Sequence, residues 1–329
     1  MLGFSVYFEK NTNIKKQVLD NKDFDIVFTS LHYPADDGIF EEFIKLYELC
    51  RKNNIKICVD INNKTLKNHP EIQKMDLILR LDFGFAINEI SKLSKETELA
   101  INASTVGKDL LDKLSKSGCY MENIAAIHNF YPLEYSGIGE EFFKKQNHML
   151  KSYGLKLGAF VPGDERLRGP VFKGLPTLED DRYKKPYQSF VKLNRKYQMD
   201  LIFLAEDLSQ REMNYIKKYT NDKIISLPSS IEESYKDLKN IKVRPDISDY
   251  LIRNQRVKMD IPPSNPQKIN RGDIVILNNN SGRYAGEIEI IKKDLGEDNK
   301  RNVIGKVDTN YQEILNYVKG GDLIEFDRR

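Results

Sequence analysis

The stretch that decides the fold is Asn123–Pro186, NIAAIHNFYPLEYSGIGEEFFKKQNHMLKSYGLKLGAFVPGDERLRGPVFKGLPTLEDDRYKKP. It opens on a short apolar run that ends in a polar and aromatic cluster, His128, Asn129 and Tyr131. Glu140–Tyr153 follows with helical spacing, and Leu155–Val161 is a second apolar run of strand length. Between Val161 and the helix expected near Pro186 lie about 25 residues that carry Arg166, Arg168, Gly169 and Gly174. A loop longer than about 12–15 residues within a compact domain is usually functional or disordered. This one joins Pro and Gly turn chemistry to paired arginines, and it reads as a site loop. One strand–helix–strand unit is therefore legible, with a candidate site at its strand ends.

Working outward, the same alternation repeats. LGFSVYF, DIVFTSLH, IKICVDIN, MDLILRLDF and ELAINAS read as strands before this stretch, and MDLIFLA as one after it. Helical periodicity separates them: in Phe40–Lys52, for example, Phe43, Leu46, Tyr47 and Cys50 fall on one face. Strands alternating with helices imply parallel pairing through right-handed crossovers. Eight units in about 220 residues point to a (β/α)8 barrel, with a doubly wound open sheet as the alternative. Lys223–Ser230 reads as an extra strand or an approach to a linker. From Arg244 the texture changes to proline-rich sequence and then to short strands with Gly and Asn turns, which predicts a small β-rich domain. The expected division is 1–235 barrel, 236–265 linker and 266–329 β domain.

Composition narrows the function. Of 329 residues, 40% are hydrophobic and 31% charged, enough for a core and too polar for a membrane protein. Net charge is +3 with no basic block, so no nucleic-acid footprint is expected. No run of about 18 apolar residues occurs, which gives no membrane partner, and the start MLGFSVYFEKN lacks a signal-peptide pattern. The expected compartment is cytoplasmic, with Cys50, Cys58 and Cys119 as buried thiols. The four histidines, His32, His69, His128 and His148, show no metal-ligand spacing.

A barrel places its active site at the C-terminal strand ends. The polar residues there are Tyr7 and Glu9; Thr29, Ser30, His32, Asp36 and Asp37; Asp60 and Asn62; Arg80 and Asp82; Asn102 and Ser104; His128, Asn129 and Tyr131; Asp164, Arg166 and Arg168; and Glu206 and Asp207. Arg80 and Asp82 share one face of their strand, and structural pairing competes with a ligand role for them. For Asp60 and Asn62, helix capping or loop bonding outweighs catalysis. Tyr7, Tyr33, Tyr131 and Tyr135 offer rim aromatics for a sugar ring. Two carboxylates suit glycoside hydrolysis, and arginines after the seventh strand suit a phosphate.

At this point GFSVYF, FTSLHYP, LRLDFGF, INAST, HNFYPLEYSGIGEEFFKKQN, AFVPGD, RGPVFKGLPTLEDDR and GRYAGEIEI together resemble the MupG-type 6-phospho-N-acetylmuramidase family over essentially the whole chain. The resemblance implies a barrel followed by a cyclophilin-like β domain. It implies cytoplasmic cleavage of the β-1,4 bond of N-acetylmuramic acid 6-phosphate–N-acetylglucosamine, a phosphorylated amino-sugar disaccharide from peptidoglycan turnover. It calls for no metal or organic cofactor. The catalytic carboxylates would be Asp82 with Glu206 or Asp207, and Glu9 in reserve. Asn102, His128, Asn129 and Tyr131 would hold the sugar, and Arg166, Arg168 and Arg283 the phosphate or lactyl carboxylate. Arg283 would need the β domain to reach a barrel mouth, its own or a partner's, so a homodimer is one arrangement the assignment admits. The competing readings are a phosphosugar lyase or isomerase with His128 as base, and a non-catalytic sugar-phosphate binding module.

Overall fold

The computed structural model describes residues 1–9, 12–31, 38–254, 259–264 and 266–328. Eight parallel strands close on themselves in chain order. They are β1 (Leu2–Ser5), β2 (Ile26–Ser30), β3 (Lys56–Ile61), β4 (Ile78–Leu81), β5 (Glu98–Asn102), β6 (Ile124–Ile127), β7 (Lys156–Val161) and β8 (Leu201–Leu204). Phe4 pairs with both Val27 of β2 and Leu204 of β8, so the sheet has no edge at β1 and the open doubly wound alternative is excluded. Helices α1 (Ile14–Asp20), α2 (Ile39–Lys52), α3 (Asn63–Asn68), α4 (Ile87–Leu93), α5 (Lys108–Lys116) and α6 (Glu140–Ser152) fill the first six crossovers. On α2, Ile39, Phe43, Leu46 and Cys50 are buried, the face expected from their spacing.

Large and small side chains interdigitate inside the barrel. Phe28, Phe160 and Phe203 meet ring to ring at 5.0–5.8 Å, and Ala100, Ala125 and Ala205 leave room for them. Gly3 is part of this fit: a Cβ there would lie 2.6 Å from the Phe203 ring, closer than carbon atoms pack. The three cysteines are buried, Cys58 in this interior cluster, and burial pushes the Cys50 thiol up to about 12.

The chain divides into two compact units, one of residues 1–186 and 193–208, the other of 187–192 and 209–329. Helix α7 (Pro186–Arg195) contributes to both, and α8 (Gln210–Asp222) belongs to the second. The second unit holds a seven-stranded sheet, ordered β10 (Asn240–Lys242), β17 (Leu323–Arg328), β9 (Ile224–Ile231), β16 (Arg301–Val307), β13 (Asp273–Leu277), β14 (Ile288–Ile291), β11 (Leu251–Arg253). Strands β12 (Gln267–Ile269) and β15 (Gly296–Asp298) form a separate pair. Ile269, Val275 and Ile291 make a small core there. Strands β9, β10 and β11, which precede the expected β domain in sequence, pair within its sheet. Among the described residues no helix is long and apolar enough to cross a membrane.

Candidate active site at the barrel mouth

Strand alternation builds the site. Phe28, Cys58, Ile78, Ala100 and Ile127 lie in the barrel interior, so the same face carries on to Ser30, Asp60, Arg80, Asn102 and Asn129 at the C-terminal ends. Register sets Ser30 beside Asp60 and Asp60 beside Arg80 on neighbouring strands. The Arg80 Nη1 donates to Asp60 Oδ1 at 2.6 Å, and both side chains are largely buried. The other terminal nitrogen of Arg80 donates to Asn129 Oδ1. Asp60 is thus an ion-pair partner and not a cap, whereas Asn62 caps α3 by accepting from the Thr65 N–H at 2.8 Å. Asp82 follows two residues after Arg80, half-buried, with its N–H on the Ile61 carbonyl.

Two polar atoms of this tier are left over. The hydroxyl of Ser30 and the Nε of Arg80 are buried with no hydrogen-bond partner among the described residues. Buried polar groups are nearly always bonded, so each of these calls for a partner that the described residues do not supply. Burial also pushes the Tyr7 hydroxyl above its ordinary pKa, against the pull of Arg168.

The site loop brings Arg168 to this rim. Its guanidinium carbon stands 3.6 Å over the Tyr7 ring, and its Nε donates to Glu9 Oε1 at 2.9 Å. Among the described residues its two terminal nitrogens have no hydrogen bond. Arg166 is exposed on the same loop. Asp207 is exposed at the end of β8, and its carbonyl accepts from the Asp164 and Glu165 amides. Glu206 accepts the backbone N–H groups of Gly163, Arg168 and Leu175. Burial raises its pKa in spite of those three donors.

Arg182, which the sequence did not single out, holds the loop in place. Its Nε and Nη2 donate to the two oxygens of Glu179 at 2.6 Å. The remaining N–H groups reach the carbonyls of Tyr131, Leu133 and Gly174, so it ties the loop after β6 to the loop after β7. Glu179 in turn accepts the Tyr135 and Gly137 amides. The Arg182 guanidinium, with those amides, holds the Glu179 carboxyl down to about 2. The i,i+3 spacing of Glu179 and Arg182 was the available signal; the converging carbonyls leave no pattern in sequence.

His128 faces the other way. It is fully buried; its Nε2–H donates to Asn147 Oδ1 of α6 at 2.8 Å, and its Nδ1 accepts from the Ser104 hydroxyl at 3.2 Å. Ser104 Oγ also accepts the Asn129 N–H at 3.0 Å. Burial lowers the His128 pKa to about 4, so the ring is neutral. Both nitrogens are used by the protein, and strand parity explains it: Ile127 faces the interior, so His128 cannot. Asn102 Oδ1 accepts the Ser104 amide, and the Tyr131 amide and carbonyl are taken by Pro176 and Arg182. Arg283 lies in the second unit, where its Nη2 donates to the Tyr284 hydroxyl at 2.7 Å. His32, Tyr33, Asp36 and Asp37 lie outside the described residues. Among the described residues no group of three His, Cys, Asp or Glu side chains is placed to hold a metal ion.

Taken together, this is a (β/α)8 barrel with a polar, arginine-bearing site at the C-terminal ends of its strands, joined to a β-rich unit. The chain belongs to the 6-phospho-N-acetylmuramidase family: residues 2–218 match the model of its N-terminal part and residues 222–327 that of its C-terminal part. Comparison with curated protein sequences finds no match. Among solved structures, a conserved Enterococcus faecalis protein described as of unknown function superposes with a TM-score of 0.90 at 29% identity, covering 100% of this chain and 96% of that one. An uncharacterised B. cereus protein superposes at 0.78 with 22% identity and 99% coverage of both chains, a likeness of fold.

Proposed function

We propose that the protein is a glycosidase that hydrolyses the β-1,4 bond of N-acetylmuramic acid 6-phosphate–N-acetylglucosamine, in the cytoplasm, during recycling of peptidoglycan fragments. The observation that carries this reading is the Arg168 guanidinium, fixed by Glu9 and the Tyr7 ring with its terminal N–H groups unbonded among the described residues. A planar fork held in this way matches two oxygens of a phosphate or carboxylate. Membership of the 6-phospho-N-acetylmuramidase family supports this choice of bond. The unpartnered Ser30 hydroxyl, with the Tyr7 hydroxyl and the side chains of Asn102 and Asn129, offers hydrogen bonds to the sugar.

Glycoside hydrolysis needs one group to protonate the leaving oxygen and another to attack or to activate water. We assign these roles to Asp82 and Asp207. They follow β4 and β8, which lie opposite one another in an eight-stranded closed barrel, so a sugar between them is flanked on two sides. Asp207 is the exposed carboxylate after β8, and its neighbour Glu206 is taken by three backbone amides. Glu9 is occupied with Arg168. The lyase or isomerase reading loses its base, since both nitrogens of His128 are bonded within the protein. The likeness of the second unit to cyclophilins stays a proposal of fold alone.

The test is incubation of the purified chain with the 6-phosphorylated disaccharide and, in parallel, its dephosphorylated form, with products followed by mass spectrometry. Release of N-acetylglucosamine from the phosphorylated form alone is expected; cleavage of neither by folded protein would refute the reading. Asp82→Asn should lower kcat by about 10²–10⁴-fold while the protein still folds. Turnover near wild type would remove Asp82 from the chemistry.

A further inference from the structure

Glu206 has the raised pKa that often marks a general acid, but its surroundings point elsewhere. Its Oε1 accepts the Arg168 N–H at 2.7 Å, and its Oε2 accepts those of Gly163 at 3.1 Å and Leu175 at 2.9 Å. One carboxylate therefore fastens the start, middle and end of the loop at 163–175. The loop closes tightly on it: a Cβ at Gly163 would lie 2.7 Å from the Glu206 Cβ, and Gly174 takes a φ of +80° beside Glu206 Oε2. The middle fastening is the backbone of Arg168 itself, whose side chain then runs to Tyr7 and Glu9.

We propose that Glu206 is a positioning residue for substrate recognition: its carboxylate holds the 163–175 loop so that Arg168 presents its guanidinium fork to the anionic group of the substrate. The proposal rests on the anion-clamp reading of Arg168 given above. It takes Glu206 out of the proton-transfer step. A proton removes the charge that strengthens all three bonds, and on Oε2, which already accepts two amides, it displaces one of them. Burial raises the pKa because desolvation of the carboxylate outweighs what the amides return, a cost kept at neutral pH for the sake of the loop.

Glutamine tests the geometry with little change in volume. In Glu206→Gln the side-chain amide can serve Gly163 and Leu175 with its oxygen, but then it turns N–H groups toward the Arg168 amide. Steady-state kinetics of Glu206→Gln and Glu206→Asp should show KM for the 6-phosphorylated disaccharide raised about ten- to hundredfold, as loss of hydrogen bonds to a charged group implies, with kcat within a few-fold of wild type. The shorter aspartate keeps the charge and should fall between Gln and wild type. An aryl glycoside of the same 6-phosphosugar, whose leaving group needs no protonation, should show the same defect. Recovery of kcat on the aryl glycoside after a large loss on the disaccharide would make Glu206 the general acid and overturn the proposal. A lower melting temperature with KM unchanged would overturn it too. Two measurements are independent of turnover. Inorganic phosphate should bind Glu206→Gln as weakly as it binds Arg168→Ala; wild-type affinity in the former refutes the proposal. In the wild-type protein the amides of Gly163, Arg168 and Leu175 should lose hydrogen-exchange protection together as Glu206 is protonated; separate loss refutes it even if the variants do not fold. Absence of turnover in the wild type with these two results intact would sink the hydrolase reading and leave the positioning role standing.

Discussion

Arg168 and Arg182 belong to the same long connection after β7, and the protein uses them in opposite ways. The five N–H groups of Arg182 all end on protein acceptors, two on Glu179 and the rest on backbone carbonyls of two loops, and its side chain is 1% exposed. Arg168 uses one N–H on Glu9 and its flat face on Tyr7, and keeps its fork free of partners among the described residues. A guanidinium whose donors are all consumed holds structure together. One that is fixed in direction but unsaturated is prepared for something else. Identical side chains in one loop are thus told apart by how many of their donors the fold consumes.

Removing Arg182 should give the largest effect. Arg182→Ala leaves Glu179 without its cation and several loop carbonyls without donors, and breaking a buried pair of this kind costs about 3–5 kcal/mol. Urea unfolding should show a loss in that range, with mass-spectrometric proteolysis cutting first in 131–137 or 173–179. A loss below about 1 kcal/mol would place Arg182 with the unimportant surface pairs and break the comparison.

His128 stands with Arg182 on the holding side, and pH tests it next. Its pKa in the fold is about 4, below the ordinary 6.5, so folding requires the neutral ring. The stability it contributes is present above the unfolded value and is lost as pH falls from 6.5 towards 4. The full loss is about 3 kcal/mol by linkage. Urea midpoints should therefore fall between pH 7 and pH 5, above the 4.5 at which the unfolded chain's Glu179 starts to take up its proton. A flat profile over that range would mean that His128 is not buried neutral between Ser104 and Asn147.

Much of this difference was within reach of the sequence, but not all of it. The barrel is legible because a strand–helix repeat is a local pattern, repeated eight times, and closure follows from the number of units. The parity that turns His128 away from the mouth was legible as well: Ile127 and Asn129 flank it on the opposite face. Its aromatic and polar neighbours, His-Asn-Phe-Tyr, suggested a donor role and hid the alternation. The Asp60–Arg80 pair needed the register of β3 on β4, which sets them side by side. Glu206 was legible as a carboxylate at a strand end and not as the fastening of a loop, since its three partners are backbone amides at 163, 168 and 175. Backbone donors carry no residue identity, so no spacing rule announces them. The same holds for the carbonyls around Arg182.

Arg168 gives the smallest effect on folding and the sharpest test of the comparison. Arg168→Ala removes one partly exposed ion pair and one stacking contact, and pairs of that kind contribute about 0–1 kcal/mol, so the melting temperature should hardly change. Binding should change instead. Loss of charge-assisted bonds to a phosphate should raise KM for the 6-phosphorylated disaccharide about ten- to hundredfold, and binding of inorganic phosphate should weaken in parallel. Arg168→Lys separates charge from shape: a lysine keeps the charge but neither forks nor lies flat on Tyr7. If Lys restores wild-type KM, a point charge suffices and the fixed orientation on Glu9 and Tyr7 is incidental. If Lys behaves like Ala, the direction of the fork is what the loop, Glu9 and Tyr7 are there to set, and the contrast with Arg182 holds at the level of individual N–H groups.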